Sequence, residues 1–166
     1  MDESQGKPKR IIGLLEWYKL IERLKPQIQA SRIPFKYIVA VARGGLGIGE
    51  RLSRMLKIPL AIVAAENWPA GKKHASVRFS RHCVYLSGKP SGPVLIVDDL
   101  TETCDTLNET KQYLHRKFGI PFDQMFSAVL LLKGTPREMP NFVANRRRIS
   151  RKTWVVFPPE NSEIVM

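Results

Sequence analysis

The chain has 166 residues, enough for one domain with a single sizeable core and too few for two ordinary domains. Its 43% hydrophobic, 25% charged and 8% aromatic residues are those of a folded globular domain, which excludes a disordered or collagen-like chain. The 27 Lys and Arg against 15 Asp and Glu leave a net charge of +12, which implies an anionic partner: nucleic acid, a membrane surface or a phosphorylated small molecule.

Along the chain, Met1 to Arg10 is polar, is expected to be flexible, and lacks the apolar stretch of a signal peptide. No apolar run approaches the roughly 20 residues that span a bilayer, so no membrane association is expected. From Ile11 to Lys25, Leu14, Leu15, Trp17, Tyr18, Ile21 and Leu24 recur at helical spacing, and Pro26 follows as a stop. Tyr37 to Ala42 is short, apolar and partly β-branched, and meets Arg43-Gly44-Gly45: a buried strand ending in a loop. A helix is expected from Leu46 to about Lys57, and Leu60 to Ala64 reads as the next buried strand. Strand, helix, strand in this order favours a parallel sheet.

The pattern changes over 66–91, which reads as a mobile loop and hairpin inserted into the single domain of 1–166. Pro93 to Val97 is the strongest strand signal and ends at Asp98-Asp99. A helix is expected from near Thr106, with Leu107, Leu114 and Phe118 inward and Gly119 with Pro121 closing it. Met125 to Leu132 is a further strand, and Phe142 to Ala144 and Thr153 to Phe157 are two shorter ones. The expected fold is α/β, with about five parallel strands flanked by helices.

Ligands of open α/β sheets bind beyond the carboxyl ends of the strands, so the residues after each apolar run carry the chemistry. Asp98 and Asp99 place two adjacent carboxylates at the sheet's rim, where a cation or several hydroxyls would offset their repulsion. Hard oxygen donors of this kind suit Mg²⁺, which takes one or two carboxylates plus substrate oxygens and water. Thr101 to Thr106 then forms a hydroxyl-rich turn into a helix N-terminus, where free N–H groups and the dipole favour an anion. The plain alternative is that these Thr and Asp residues are only caps.

The stretch Val94-Leu95-Ile96-Val97-Asp98-Asp99-Leu100-Thr101-Glu102-Thr103-Cys104-Asp105-Thr106-Leu107 resembles the phosphoribosyl-pyrophosphate motif of type I phosphoribosyltransferases. Three further motifs agree in order. Ala42-Arg43-Gly44-Gly45 resembles the family's pyrophosphate loop, and Leu132-Lys133 its purine-contacting lysine. Thr153 to Glu160 is similar to the base-stacking segment of the xanthine-guanine and hypoxanthine branch. The resemblance covers roughly Ile11 to Glu160 and implies the type I fold with a small hood formed by the termini. It also implies a homo-oligomer, dimer or tetramer, that transfers phosphoribosyl to a 6-oxopurine in purine salvage; a cytoplasmic protein is expected from the N-terminal stretch without signal-peptide character. The two cysteines, Cys83 and Cys104, which give neither a disulfide framework nor zinc spacing, agree with that compartment.

Carried over residue by residue, the resemblance implies that Asp98 and Asp99 hold the ribose hydroxyls, with Asp99 and then Asp98 as Mg²⁺ ligands. Glu102 would face the base near N7. Thr103, Cys104, Asp105 and Thr106 would wrap the 5′-phosphate, and Arg43 with Gly44 would line the pyrophosphate, with a cis peptide at Ala42-Arg43. Lys133 would donate to the 6-oxo group, Trp154 would stack on the ring, and Val155 and Glu160 would lie where the 2-position is read. A basic, glycine-containing cover is expected over Trp68 to Ser80. Departures accompany the matches: Cys104 stands where the family has glycine, Asp105 where acids are rare, and Ala65-Glu66-Asn67-Trp68 replaces a Ser-Tyr pair. Asp105 is expected to turn its carboxylate onto the helix's own N–H groups.

The sequence also offers two other readings. Gly45-Leu46-Gly47-Ile48-Gly49 follows a strand as in dinucleotide-binding domains, but Glu50 stands where the third glycine is needed. A non-catalytic regulator of the same fold, binding nucleotide or RNA, is motivated by Cys104, Asp105 and the basic run Arg146-Arg147-Arg148 with Arg151 and Lys152. The RNA affinity expected of that run is weak, because no aromatics interleave it.

Overall fold

The computed structural model describes residues 6–66 and 78–160. In chain order the elements are strand β1 (Lys9–Ile11), helix α1 (Leu14–Ala30), β2 (Tyr37–Ala42), α2 (Leu46–Leu56), β3 (Leu60–Glu66) and β4 (Arg78–Tyr85). They continue with β5 (Val94–Thr101), α3 (Asp105–Phe118), β6 (Met125–Lys133), β7 (Phe142–Ile149) and β8 (Trp154–Val156).

Six strands form the central sheet in the order β4-β3-β2-β5-β6-β7. Five run parallel, as the sequence led us to expect, and β4 pairs antiparallel with β3 at one edge. The alternation of side chains along each strand explains the layers. Ile38, Ala40, Leu95, Val97, Ala128 and Leu130 face α1 and α2, whereas Tyr37, Val39, Val41, Val94, Ile96 and Val129 face α3. Both faces are covered, so these strands read as continuous apolar runs. Each fully buried Leu or Ile in them contributes about 1.5–3 kcal/mol.

β1 and β8 make a separate two-stranded parallel sheet, with Lys9 opposite Trp154 and Ile11 opposite Val156. This joins the two ends of the chain as the expected hood. Lys9 and Arg10, in the stretch expected to be flexible, are thus paired strand residues.

Several boundaries differ from the sequence reading. α1 begins at Leu14 and runs through Pro26 to Ala30, so Pro26 is not a stop. Its solvent-facing position tolerates the missing N–H, and the Gln27 side-chain amide ties this turn to the Arg23 carbonyl and to the Val143 carbonyl of β7, both at 3.0 Å. Leu14 and Leu15 are exposed, and the buried face is Trp17, Leu20, Ile21, Leu24 and Ile28. β5 does not end at Asp98-Asp99 but continues to Thr101, because β6 keeps pairing with it through Leu100–Leu131 and Thr101–Leu132. β7 extends past Ala144 through the polar Asn145 to Arg148, held by β6 across a register shift. α3 starts at Asp105, one residue early. The cover expected over Trp68 to Ser80 lies outside the described residues up to 77.

Candidate functional site

The order of the strands reverses between β2 and β5: from β2 the chain moves outward to β3, and from β5 it moves the other way to β6. A crevice beyond the carboxyl ends at such a switch point is where open α/β sheets bind ligands.

At the end of β2 the Ala42–Arg43 peptide is cis, as the resemblance implied, and Arg43 is exposed. Gly44 and Gly45 are required by close approach. A Cβ at Gly44 would lie 2.4 Å from Asp99 Oδ2, and one at Gly45 would lie 2.1 Å from the Val97 carbonyl oxygen. The absence of side chains therefore lets this loop rest directly on the acid pair.

The pair itself is half-buried. Asp98 Oδ1 accepts the Asp99 N–H at 3.0 Å, and Asp99 Oδ1 accepts the Leu100 N–H at 2.6 Å. Burial, and then the Asp99 carboxylate, hold the Asp98 carboxyl well above the usual carboxylate range, against the pull of the Asp99 N–H. A cation or hydroxyl donors reaching this carboxyl would favour its ionised form. Among the described residues no group of three or more His, Cys, Asp or Glu comes together as a metal cage. Two adjacent carboxylates nonetheless fit a hard divalent cation that takes its other ligands from substrate and water.

Beyond the pair, the turn into α3 is tightly built. Thr101 Oγ1 accepts the Cys104 N–H at 2.9 Å, and Cys104, buried, has φ +70. The left-handed geometry that favours glycine is thus adopted here with a side chain in place. The Cys104 thiol donates to the Glu138 carbonyl at 3.0 Å. The Asp105 carboxylate departs from expectation: it accepts the Thr103 hydroxyl at 2.7 Å rather than capping the helix. Asp105 is itself the first helical residue, with Cys104 as the cap, so the neighbouring hydroxyl is its nearer partner. The Thr103 hydroxyl is therefore engaged by a carboxylate. Thr106 is half-buried in the first turn of α3.

On the other side of the crevice, Lys133 ends β6 with its side chain only 13% exposed, and its Nζ lies 3.4 Å from Glu102 Oε2. The other oxygen, Glu102 Oε1, lies 3.4 Å from Arg151 Nε. Sequence reasoning missed Arg151 as a site residue, because its sequence signal is only membership of a basic run. Trp154 starts β8, where its N–H donates to the Pro8 carbonyl at 2.8 Å and Lys7 Nζ lies 6.0 Å from its ring centre. Val155 is buried opposite Arg10. Glu160 closes a short 3-10 turn from Pro158, and its side chain lies outside what is described.

A family model described as phosphoribosyl transferase domain matches residues 14–160. A purine phosphoribosyltransferase from Pyrococcus horikoshii is similar in structure at 24% identity and a TM-score of 0.71, covering 95% of this chain and 97% of that one. The xanthine-guanine-hypoxanthine phosphoribosyltransferase of Helicobacter pylori is similar at 16% identity and a TM-score of 0.72, over 92% and 94%. A hypothetical protein from Neisseria gonorrhoeae with bound ppGpp is similar at 18% and 0.66, over 95% and 92%. At these identities the likeness is one of fold. No curated protein matched the chain by sequence.

Proposed function

Since the chain belongs to the phosphoribosyl transferase domain family, we propose that it transfers the phosphoribosyl group of phosphoribosyl pyrophosphate to a 6-oxopurine: guanine, xanthine or hypoxanthine. The observation that carries this reading is the pairing of Glu102 with Lys133 at 3.4 Å, beside the acid pair. An acceptor and a donor lie side by side there, the complement of a purine edge that offers an N7–H and a 6-oxo oxygen. Without a base the two groups satisfy each other. A 6-amino group would set a donor against Lys133 and be rejected, because a site built around a hydrogen bond discriminates strongly when that bond is lost. The two structurally similar enzymes named for purines agree with this choice.

In this reading Asp98 and Asp99 bind the ribose hydroxyls, Arg43 and the Gly44 amide line the pyrophosphate, and Thr103 to Thr106 receive the 5′-phosphate at the start of α3. The bond from C1′ to pyrophosphate breaks and a bond from C1′ to the base forms, through an oxocarbenium-like sugar. Negative charge gathers on the leaving group, where Arg43 and the loop amides stabilise it. Asp99 and Asp98 would hold Mg²⁺, which supplies further neutralisation of the pyrophosphate. Glu102 takes the proton that the base gives up at N7, Lys133 donates to the 6-oxo oxygen, and Trp154 stacks on the ring, with Val155 and Glu160 near its 2-position.

The test is product formation from phosphoribosyl pyrophosphate and Mg²⁺ with guanine, xanthine, hypoxanthine, adenine, uracil and orotate offered in parallel. Turnover of an oxopurine is expected. Preference for uracil or orotate would overturn the purine assignment.

One observation favours a second reading, a regulator that binds nucleotide without turnover. The similar Neisseria protein was solved with bound ppGpp. Tight nucleotide binding with no product from any base would select it.

A further inference from the structure

We infer that Arg151 is a positioning residue for Glu102, holding that carboxylate in place when Lys133 leaves it for the base. The inference rests on the purine reading above and adds to it a residue from the turn between β7 and β8.

Glu102 is divided between two cations, one oxygen 3.4 Å from Lys133 Nζ and the other 3.4 Å from Arg151 Nε. The two are differently placed. Lys133 is largely buried at the end of β6, its side chain 13% exposed against 59% for Arg151, so Lys133 is the one that faces a base entering the crevice. Donating to a 6-oxo oxygen draws its ammonium away from Glu102 Oε2. With a single cation, Glu102 would then lose its partner and its fixed orientation as it has to receive a proton. A second, outer cation keeps the carboxylate aimed while Lys133 is engaged.

The backbone makes room for this second cation independently of the ion pair. Gly134, directly after Lys133, has φ +64, and a Cβ on it would lie 2.5 Å from Arg151 Nε and 2.7 Å from Arg151 Cγ. The stem of Arg151 therefore runs across the bare Gly134 backbone, along a slot that any side chain there would close. The Gly134 N–H donates to the Ile149 carbonyl at 2.8 Å, and the Thr153 N–H closes the turn that carries Arg151 by donating to the Ser150 carbonyl at 3.0 Å. The turn that carries Arg151 is thus stapled to the strand end that carries Lys133. A planar guanidinium with fixed donor directions suits this holding task better than an ammonium on a free stem.

The experiment is steady-state kinetics with hypoxanthine and phosphoribosyl pyrophosphate on the wild type, Arg151→Met, Arg151→Lys, Glu102→Gln and the double variant Glu102→Gln/Arg151→Met. Circular dichroism establishes that each is folded. Arg151→Met is expected to lower kcat by about tenfold or more, with KM for phosphoribosyl pyrophosphate within twofold and partial recovery in Arg151→Lys. In the Glu102→Gln background the same change should alter kcat less than twofold, because a residue that acts through Glu102 has nothing left to position. An equal loss in both backgrounds, or a loss confined to KM for phosphoribosyl pyrophosphate, would overturn the role of Arg151 and leave the purine reading standing. A wild type that turns over no purine would overturn both.

Discussion

At the scale of single residues the site is governed by what a side chain would collide with or repel. Gly44→Ala would drive a methyl group into the Asp99 carboxylate, 2.4 Å away. It is expected to weaken binding of phosphoribosyl pyrophosphate by at least tenfold in calorimetric titration. Asp98→Asn and Asp99→Asn should each weaken Mg²⁺-dependent binding of the same ligand while the fold survives, since both are half-buried positions outside the two apolar clusters of the core; unchanged affinity in both would remove the acid pair from the site. Asp105 acts in the opposite sense. A carboxylate a few ångströms from a phosphate repels it by about 1–4 kcal/mol, depending on the effective dielectric. Replacing Cys104 and Asp105 together by glycine frees the Thr103 hydroxyl and relieves the left-handed residue, so tighter binding by a modest factor is expected. Activity seen only in that double variant would identify the natural protein as a binder. Burial raises the Cys104 thiol, and Glu138 and Asp105 add to the rise, against the Thr101 hydroxyl and Lys111. The fold therefore keeps a proton that the unfolded chain releases near the ordinary thiol value of about 8.5. Stability falls as pH climbs above that value, and urea titrations of Cys104→Gly should show a shallower alkaline decline than wild type.

At the scale of elements, pairing and packing move the boundaries. Pro26 lies inside α1 and supplies no N–H to the helix. An interior proline costs about 3 kcal/mol relative to alanine, part of which is returned by a stiffer unfolded chain. Pro26→Ala is therefore expected to raise unfolding stability by about 1–2 kcal/mol in urea titration. A loss of stability would mean that Pro26 helps to seat Gln27 on β7. β5 and β7 make the same point for strands: each outruns its apolar segment because β6 lies beside it. The polar stretch of β7 is also a protective one. β7 ends the sheet, and the exposed Arg146, Arg147 and Arg148 set like charges against any second strand that would add there.

For the whole molecule, the +12 charge suits a protein that gathers a polyphosphorylated substrate, and it also predicts a measurable affinity for RNA. That affinity should be weak and nonspecific, its logarithm falling linearly with the logarithm of salt concentration, with a slope that counts the phosphates neutralised. A sequence-selective complex that survives physiological salt would instead promote the regulator. Among the described residues no helix is long and apolar enough to cross a membrane. Five parallel strands, the acid pair, the glycine loop and the lysine at the end of β6 were all legible in the sequence, because each is a local signal: an apolar run, then the residue type that follows it. Opposition between Gly44 and Asp99 was not legible, since it depends on the strand order that sets β2 beside β5. The same holds most clearly for Arg151, a member of a basic run until the turn after β7 lays it across Gly134 and onto Glu102. Thr103 donating to the Asp105 carboxylate is a local contact, two residues apart, and turned on Asp105 entering the helix as its first residue. A sequence determines which groups stand at the ends of its strands. Which of them meet is decided only when non-local pairing brings those ends to one crevice.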